Sequence, residues 1–248
     1  MSDTLLLLGA GFLGGMLNAV AGGGTFITFP ALVASGVPIV AANATSTVAA
    51  LPGYLSSTFG FRRDIARIER AQLLRLTLLS LVGGTIGSGL LLVSSARAFS
   101  ALVPALLLAA TLIFLSGPRL REWAGRQRST VAPFGAATMI PVAIYGGYFN
   151  GGLGIVLLAL FALWGMDDLN QMNGLKTWLS FTLSIIALGV FAAGGQIAWR
   201  PALVMSIGTV LGGYLGAPVA RRLPAPLLRA LIAAVGFGMT ALFIRRLF

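Results

Sequence analysis

The sequence predicts an all-α polytopic membrane protein, built as two homologous repeats of about four full spans plus one short broken or re-entrant helix each. Three observations carry that expectation. The 248-residue chain is 57% hydrophobic and only 9% charged, against roughly 25% charged residues in a soluble domain. Its charges leave long uncharged windows at 4–61, 76–96, 98–118, 129–166, 177–199 and 201–220, and about 20 apolar residues suffice to cross a bilayer as a helix. The third observation is an internal duplication. A transmembrane barrel would instead show segments of about 10 alternating residues.

The duplication emerges when the sequence is slid along itself. "LVGGTIGS" (81–88) falls on "VLGGYLGA" (210–217), and 96–114 falls on 225–243, both at an offset of 129. In the second pair Ala96/Ala225, Ala101/Ala230, Thr111/Thr240 and Phe114/Phe243 are identical. At an offset of 130, Gly22 and Gly24 fall on Gly152 and Gly154, and Asn43 falls on Asn173. An asparagine precedes each glycine run, Asn18 and Asn150, two residues out of register. The chain therefore divides into a first transmembrane repeat at 1–117, a basic cytoplasmic linker at 118–129 and a second transmembrane repeat at 130–248.

The first repeat opens with an apolar segment at 5–21. The leading "MSDT" lacks the basic region of a signal peptide, so this segment is expected to be retained as an anchor. It stops at the glycines of "NAVAGGGTFITFP" (18–30). The next apolar piece, 25–35, has about a dozen residues, too few to span at about 1.5 Å per residue. Apolar helices at 39–60, 73–93 and 97–116 follow. The second repeat reads the same way, with segments at 131–149, 153–164, 173–194, 201–218 and 226–244, the second of them again too short. Broken elements at matching places in two halves are the sequence signature of a transporter's binding site.

The net charge of +11 does not point to nucleic acid. Arg62, Arg63, Arg67 and Arg70 cluster in one connector, and Arg119, Arg121, Arg126 and Arg128 in another. That is the pattern of cytoplasmic loops, with anionic lipid headgroups as the partner. Beyond these two connectors the rule divides. Arg221 and Arg222 inside would make the repeats inverted, whereas Arg245 and Arg246 inside would make them parallel; the inverted arrangement is the expectation taken forward.

Several chemistries are excluded. The chain has no cysteine and no histidine, which removes disulfides, thiol chemistry and the common zinc sites, and no cofactor is expected. Asp3, Asp64, Glu69 and Glu122 lie at the terminus or in basic connectors, leaving Asp167 and Asp168 as the other carboxylates. There is no nucleotide-binding loop of the G-x-x-x-x-G-K-[ST] type. No nucleophile–base pair suggests an enzyme.

The candidate site starts at the glycine breaks. Irregular backbone survives in a bilayer only when buried in protein or lining a cavity. Gly22, Gly23, Gly24 and Thr25 in the first half, with Gly152 and Gly154 in the second, would offer free N–H groups at the start of a half-helix, a ready anion site. Close helix packing is the alternative, and it is the expectation for "GGTIGSG" (83–89) and "GGYLG" (212–216). Next come "NATST" (43–47) and "NGLKT" (173–177), which supply Asn43, Thr45, Ser46, Asn173, Lys176 and Thr177. Lys176 is the chain's only lysine. A cation inside an apolar segment is by default a functional residue, with snorkelling toward the interface as the alternative. Tyr145, Tyr148 and Trp178 form an aromatic group that could line a pocket or mark an interface.

These motifs resemble a known family. "GFLGGMLNAVAGGGTFITFPALVASGVPIVAANATST" (11–47) is similar to the first signature of the TauE/SafE sulfite exporters, and "GGYFNGGLGIVLLALFALWGMDDLNQMNGLKTWLS" (146–180) to the second. The resemblance implies a multi-pass permease of the bacterial inner membrane for small anions, among them sulfite, sulfoacetate and related organosulfur or carboxylate compounds. It carries over to Gly22, Gly23, Gly24, Pro30, Asn43, Gly152, Gly154, Asn173 and Lys176. The second copy departs from the first in having Leu153 within its glycine run and no proline matching Pro30. The expected function is a secondary transporter, with export as the expected direction. A passive anion channel and a non-transporting membrane scaffold are the alternatives, and homo-oligomerisation stays open.

Overall fold

The computed structural model describes residues 2–20, 22–126, 132–220 and 225–247. All of its regular elements there are helices: α1 (Ser2–Val20), α2 (Thr25–Ala34), α3 (Ile39–Gly60), α4 (Arg62–Ile65), α5 (Arg70–Val93), α6 (Ala96–Arg126), α7 (Ala136–Tyr148), α8 (Leu153–Leu163), α9 (Leu169–Ala193), α10 (Trp199–Ala220) and α11 (Ala225–Leu247). Among the described residues, α5, the first 18 residues of α6, and α9 are long and apolar enough to cross a membrane.

The boundaries depart from the sequence expectation where polar residues belong to a helix. α9 starts at Leu169, not 173, because Asp168 caps it: its Oδ1 accepts from the N–H of Asn170 at 2.9 Å and of Gln171 at 3.3 Å. Windows of apolar residues miss such a capped polar turn. α6 likewise continues past Gly117 and Pro118 to Arg126, into the stretch expected to be a linker. Arg128, Arg221 and Arg222 lie outside the described residues.

The larger departure concerns the first helix of each half. α1 does not hand the chain on to the opposite end of the molecule. Its start (Asp3, Thr4, Leu7) and the residue after α2, Ser35, line one cavity of about 230 Å³ together with Arg200, Pro201 and Val204. Along the way Gly14 lies against Thr28 and Gly24, so α1 and α2 are a hairpin whose two ends return to the same level. α7 and α8 do the same. Trp164, just after α8, donates from Nε1 to Thr138 Oγ1 at 3.2 Å and packs its ring 5.2 Å from Phe134. α7 has 13 residues, about 20 Å of helix, too short for the full span expected at 131–149.

The hairpins enter from opposite ends. Arg67, beyond the end of α3, bonds Asp168 at the start of α9 at 3.1 Å, and Gly174 lies against Phe61 and Ile65. At the other end the Ala198 N–H, just before α10, donates to Thr45 near the start of α3 at 3.0 Å. Helices α3 and α9 pack together and therefore run antiparallel. The first hairpin opens at the end where α3 begins, and the second at the end where α9 begins.

Small residues fasten each hairpin to the other half of the chain. α1 packs along α10, and α7 along α5. Gly11 and Gly15 sit on Met205, Gly208 and Thr209, and Gly208 and Gly212 on Leu8 and Phe12; a methyl group on any of these four glycines would run into backbone. On the other side Gly83 and Gly87 meet Ile140, Ala143, Ile144 and Tyr148, and Gly147 meets Gly84 and Ser88. Backbones this close are the small-xxx-small packing that holds helices together without a hydrophobic driving force between them. The packing expected for Gly83, Gly84, Gly87 and Gly212 is thus observed.

Exchanging the first five long elements for the second five carries most packed pairs onto other packed pairs, although among the described residues α3 with α6 has no such counterpart in α9 with α11. The pair α1 and α10 becomes α7 and α5; α3 and α10 becomes α9 and α5; α6 and α8 becomes α11 and α2. The pairs α3 with α9 and α6 with α11 map onto themselves.

Candidate functional site: the meeting of two hairpin tips

The two glycine breaks form the hairpin tips, and the tips touch. A Cβ built on Gly22 would lie 2.6 Å from Gly154 Cα, and one built on Gly154 would lie 2.7 Å from Gly22 Cα. Gly22 (φ +75°) and Gly152 (φ +70°) both adopt the left-handed backbone that glycine tolerates without strain. Phe26, in the first turn of α2, reaches Gly152, and the ring of Phe149 meets Phe29 edge-on at 6.0 Å. Gly22, Gly23, Gly24 and Thr25, and the whole run from Phe149 to Ile155, are buried.

Broken backbone in this setting needs partners, and most of them can be named. At the first tip the Gly22 N–H donates to Leu17 O at 3.0 Å, and the Gly24 N–H to the side-chain oxygen of Asn18 at 2.7 Å. Asn18 thus takes up a donor that α2 would leave unused at its start. At the second tip three carbonyls are served from different directions. Tyr148 O accepts from Asn43 Nδ2 on α3 at 2.9 Å, Gly151 O accepts from the Tyr145 hydroxyl, and Asn150 O accepts from the Leu153 N–H at 3.3 Å. Among the described residues the Gly154 N–H has no backbone acceptor.

Two side-chain oxygens at the second tip are left over. Asn150 is 3% exposed, at φ +60°, with no hydrogen-bond partner for Oδ1. Asn43 is fully buried, and its Oδ1 also has none. The Tyr54 hydroxyl of α3 lies beside the Asn150 side chain.

Lys176 stands against this tip. A Cβ on Gly154 would meet its Cδ at 3.2 Å, and its Nζ donates to Asn173 Oδ1, one turn earlier, at 2.8 Å. Asn173 Nδ2 in turn donates to Leu169 O at 2.9 Å. At 1% exposed, Lys176 is the only charged side chain among the buried described residues, and among the described residues no salt bridge joins it to a carboxylate. Snorkelling does not describe this lysine, because its head stays inside the protein. The carboxylate that marks the end of α9, Asp168, pairs with Arg67 at the surface instead.

Three of the other expected site residues have partners within the protein. Thr45 accepts from Ala198, and Thr177 Oγ1 donates to Gly174 O at 2.9 Å within its own helix. Ser46, which the offset of 130 places opposite Lys176, lies 2.6 Å from the Thr28 hydroxyl, which also reaches Gly24 O at 3.2 Å. Of the aromatic group, Tyr145 supports the second tip, Tyr148 packs on Phe99 at 5.7 Å, and Trp178 donates to Thr77 at 2.8 Å. The residues that sequence reasoning passed over are Asn150 and Tyr54. The asparagine before each glycine run was the available signal; nothing local marks Tyr54.

Comparison with known proteins identifies the family. The sequence model of the family described as "Sulfite exporter TauE/SafE" matches residues 7–243. A "Probable membrane transporter protein" of Haemophilus influenzae is 31% identical, the match covering 95% of this chain and 92% of that protein. The "Probable membrane transporter protein ORF9" of a Sinorhizobium species is 30% identical over 93% of this chain and 88% of its own length. The "Probable membrane transporter protein YfcA" of Escherichia coli K12 is 31% identical over 95% and 89%. No solved structure gives a significant match. With the family's sequence model covering nearly the whole chain, and relatives named as transporters matching it end to end, the protein belongs to the TauE/SafE sulfite-exporter family of membrane transporters.

Proposed function

We propose that the protein is a secondary transporter that exports small anions such as sulfite, sulfonates or related organic anions across the bacterial inner membrane. The observation that carries the reading is Lys176: a buried, uncompensated cation placed against the point where two broken hairpins touch. A charge taken out of water without a partner costs several kcal/mol, and a bound anion would offset that cost. The Gly154 N–H, at the positive end of α8, points to the same ligand charge.

The architecture supporting this reading is a pair of inverted repeats, 1–117 and 130–248. Each half contributes one re-entrant hairpin and three crossing helices, α3, α5 and α6 or α9, α10 and α11. An odd number of crossings would turn the second half upside down, an arrangement supported by the antiparallel α3 and α9. The end bearing Arg62, Arg63, Arg67, Arg70 and Arg75 is then cytoplasmic. Each hairpin is open to one side of the membrane at its base and meets the other at its tip. Rocking one hairpin against the other would expose Lys176 to one side at a time, the form of alternating access expected when a site sits between inverted repeats.

The test is transport of labelled sulfite and sulfonates by the purified chain in proteoliposomes, with counterflow to distinguish a carrier from a channel. Lys176→Met, close in volume and uncharged, is expected to reduce flux at least a hundredfold while the protein remains monodisperse in detergent. Unchanged flux through that variant would sink the assignment.

A further inference from the structure

The acceptors at the second tip say something about the anion that its charge does not. Lys176 and the Gly154 N–H are donors and suit any oxyanion. Asn150 Oδ1 and Asn43 Oδ1 are acceptors, buried, and without partners. A fully deprotonated oxyanion has nothing to offer them. The amide of Asn150 sits in the turn immediately before α8, within one turn of Gly154, and its backbone O already serves Leu153. The Nδ2 of Asn43 is committed to Tyr148 O, which fixes its amide plane and leaves Oδ1 as the free edge. A ligand that displaced water from these oxygens without replacing its hydrogen bonds would be penalised for each one.

We propose that the second hairpin tip selects a small oxyanion carrying its own O–H or N–H donor, which is received by Asn150 Oδ1, with Asn43 Oδ1 as the second acceptor. This rests on the anion-transport reading above and adds a criterion that charge alone cannot supply. Both classes of group are needed at once: the lysine and the helix start hold the oxyanion, and the asparagines discriminate by what else the ligand carries. Sites that hydrogen-bond a substrate group reject analogues lacking it far more strongly than apolar pockets reject an extra one.

A matched pair of anions tests this. 2-Hydroxyethanesulfonate and ethanesulfonate share charge and headgroup and differ by one hydroxyl. Titrated against the full chain in detergent, followed by thermal shift and tryptophan fluorescence, the hydroxylated anion is expected to bind roughly tenfold tighter or more, the equivalent of one unpaired buried acceptor. In Asn150→Gly, which removes the oxygen while keeping a residue suited to φ +60°, the preference is expected to shrink to within about twofold. Equal binding of the two anions by the wild-type protein would overturn the inference and leave the anion site standing. A preference that survives intact in Asn150→Gly would overturn the assignment to that oxygen. If neither anion nor hydrogen sulfite binds, and Lys176→Met changes nothing, the transport reading falls and takes the inference with it. Should Asn150→Gly fail to fold, the wild-type pair still decides.

Discussion

The two hairpin tips are built from the same parts and end up in different states. Each has an asparagine, a left-handed glycine and a short helix that starts in the middle of the protein. In the first, Asn18 still belongs to α1, so its side chain can reach forward six residues and cap Gly24. In the second, the asparagine is two residues nearer the glycines. Asn150 therefore lies in the turn itself, at φ +60°, with its oxygen unpaired. The neighbouring helix makes the same contrast. Ser46 closes a chain of hydroxyls through Thr28 to Gly24 O, whereas Lys176, at the matching position, brings a charge. One tip is finished by its own side chains, and the other keeps two unpaired oxygens and a buried lysine. A two-residue slip of the asparagine and the exchange of Ser46 for Lys176 at the matching position separate the two tips.

The comparison is broken most directly where the tips touch. Gly22→Ala would place a methyl group 2.6 Å from Gly154 Cα in a backbone that alanine resists, at a cost on the order of 3 kcal/mol or more. Loss of the folded protein, or a fall in its detergent melting temperature larger than for any other variant here, is expected in a thermal scan. An alanine at 22 that neither melts earlier nor transports less would show that the tips do not meet.

Moving the charge sharpens the asymmetry. The double variant Ser46→Lys with Lys176→Ser keeps one buried lysine but gives it to the first tip, where Asn18 already holds the Gly24 N–H. Flux in proteoliposomes should stay at the level of Lys176→Met. Recovery to within a few-fold of wild type would mean that the two tips are interchangeable.

A smaller effect separates the two asparagines. Asn18→Ala leaves the buried Gly24 N–H without its acceptor and should cost about 1–3 kcal/mol, read as an earlier melting midpoint. Asn150→Gly should melt closer to wild type than Asn18→Ala, since the Oδ1 it removes has no partner in the protein and its remaining loss is the contact with Tyr54; its main defect should be in ligand preference. The reverse pattern would exchange their roles. Smallest of all is Arg67→Ala. The Arg67–Asp168 pair is largely exposed, and such pairs contribute well under about 1 kcal/mol, so a melting shift within error is expected.

Much of this was legible in the sequence because glycine runs and uncharged windows are local signals. The two breaks, the two short helices after them, the correspondence of Asn43 with Asn173 and the isolation of Lys176 can all be read along the chain. The return of α1 and α7 to the end they came from could not be, because hydropathy measures how apolar a segment is and not which way the next one turns. The 19 residues of α1 are long enough to be mistaken for a crossing. Nor could the spending of Thr45 and Ser46 on the fold be foreseen, since their partners Ala198 and Thr28 are set by tertiary packing. A polar residue in an apolar segment announces that it has a partner, without saying whether that partner is protein or ligand.

The cross-fastening of the hairpins has a consequence for how the chain becomes a protein. Each hairpin rests its glycines on a helix synthesised in the opposite half, α1 on α10 and α7 on α5. The ribosome delivers α1 first and α10 nearly last, so the first hairpin waits through most of translation for the surface it is shaped to fit. Its Gly11 and Gly15 remain uncovered until then, and the tips cannot meet before the second half is inserted. Fragments divided between α6 and α7 and expressed together would face the same task without the tether, and recovery of anion flux from that pair would measure how much of the assembly information resides in the glycine seams alone.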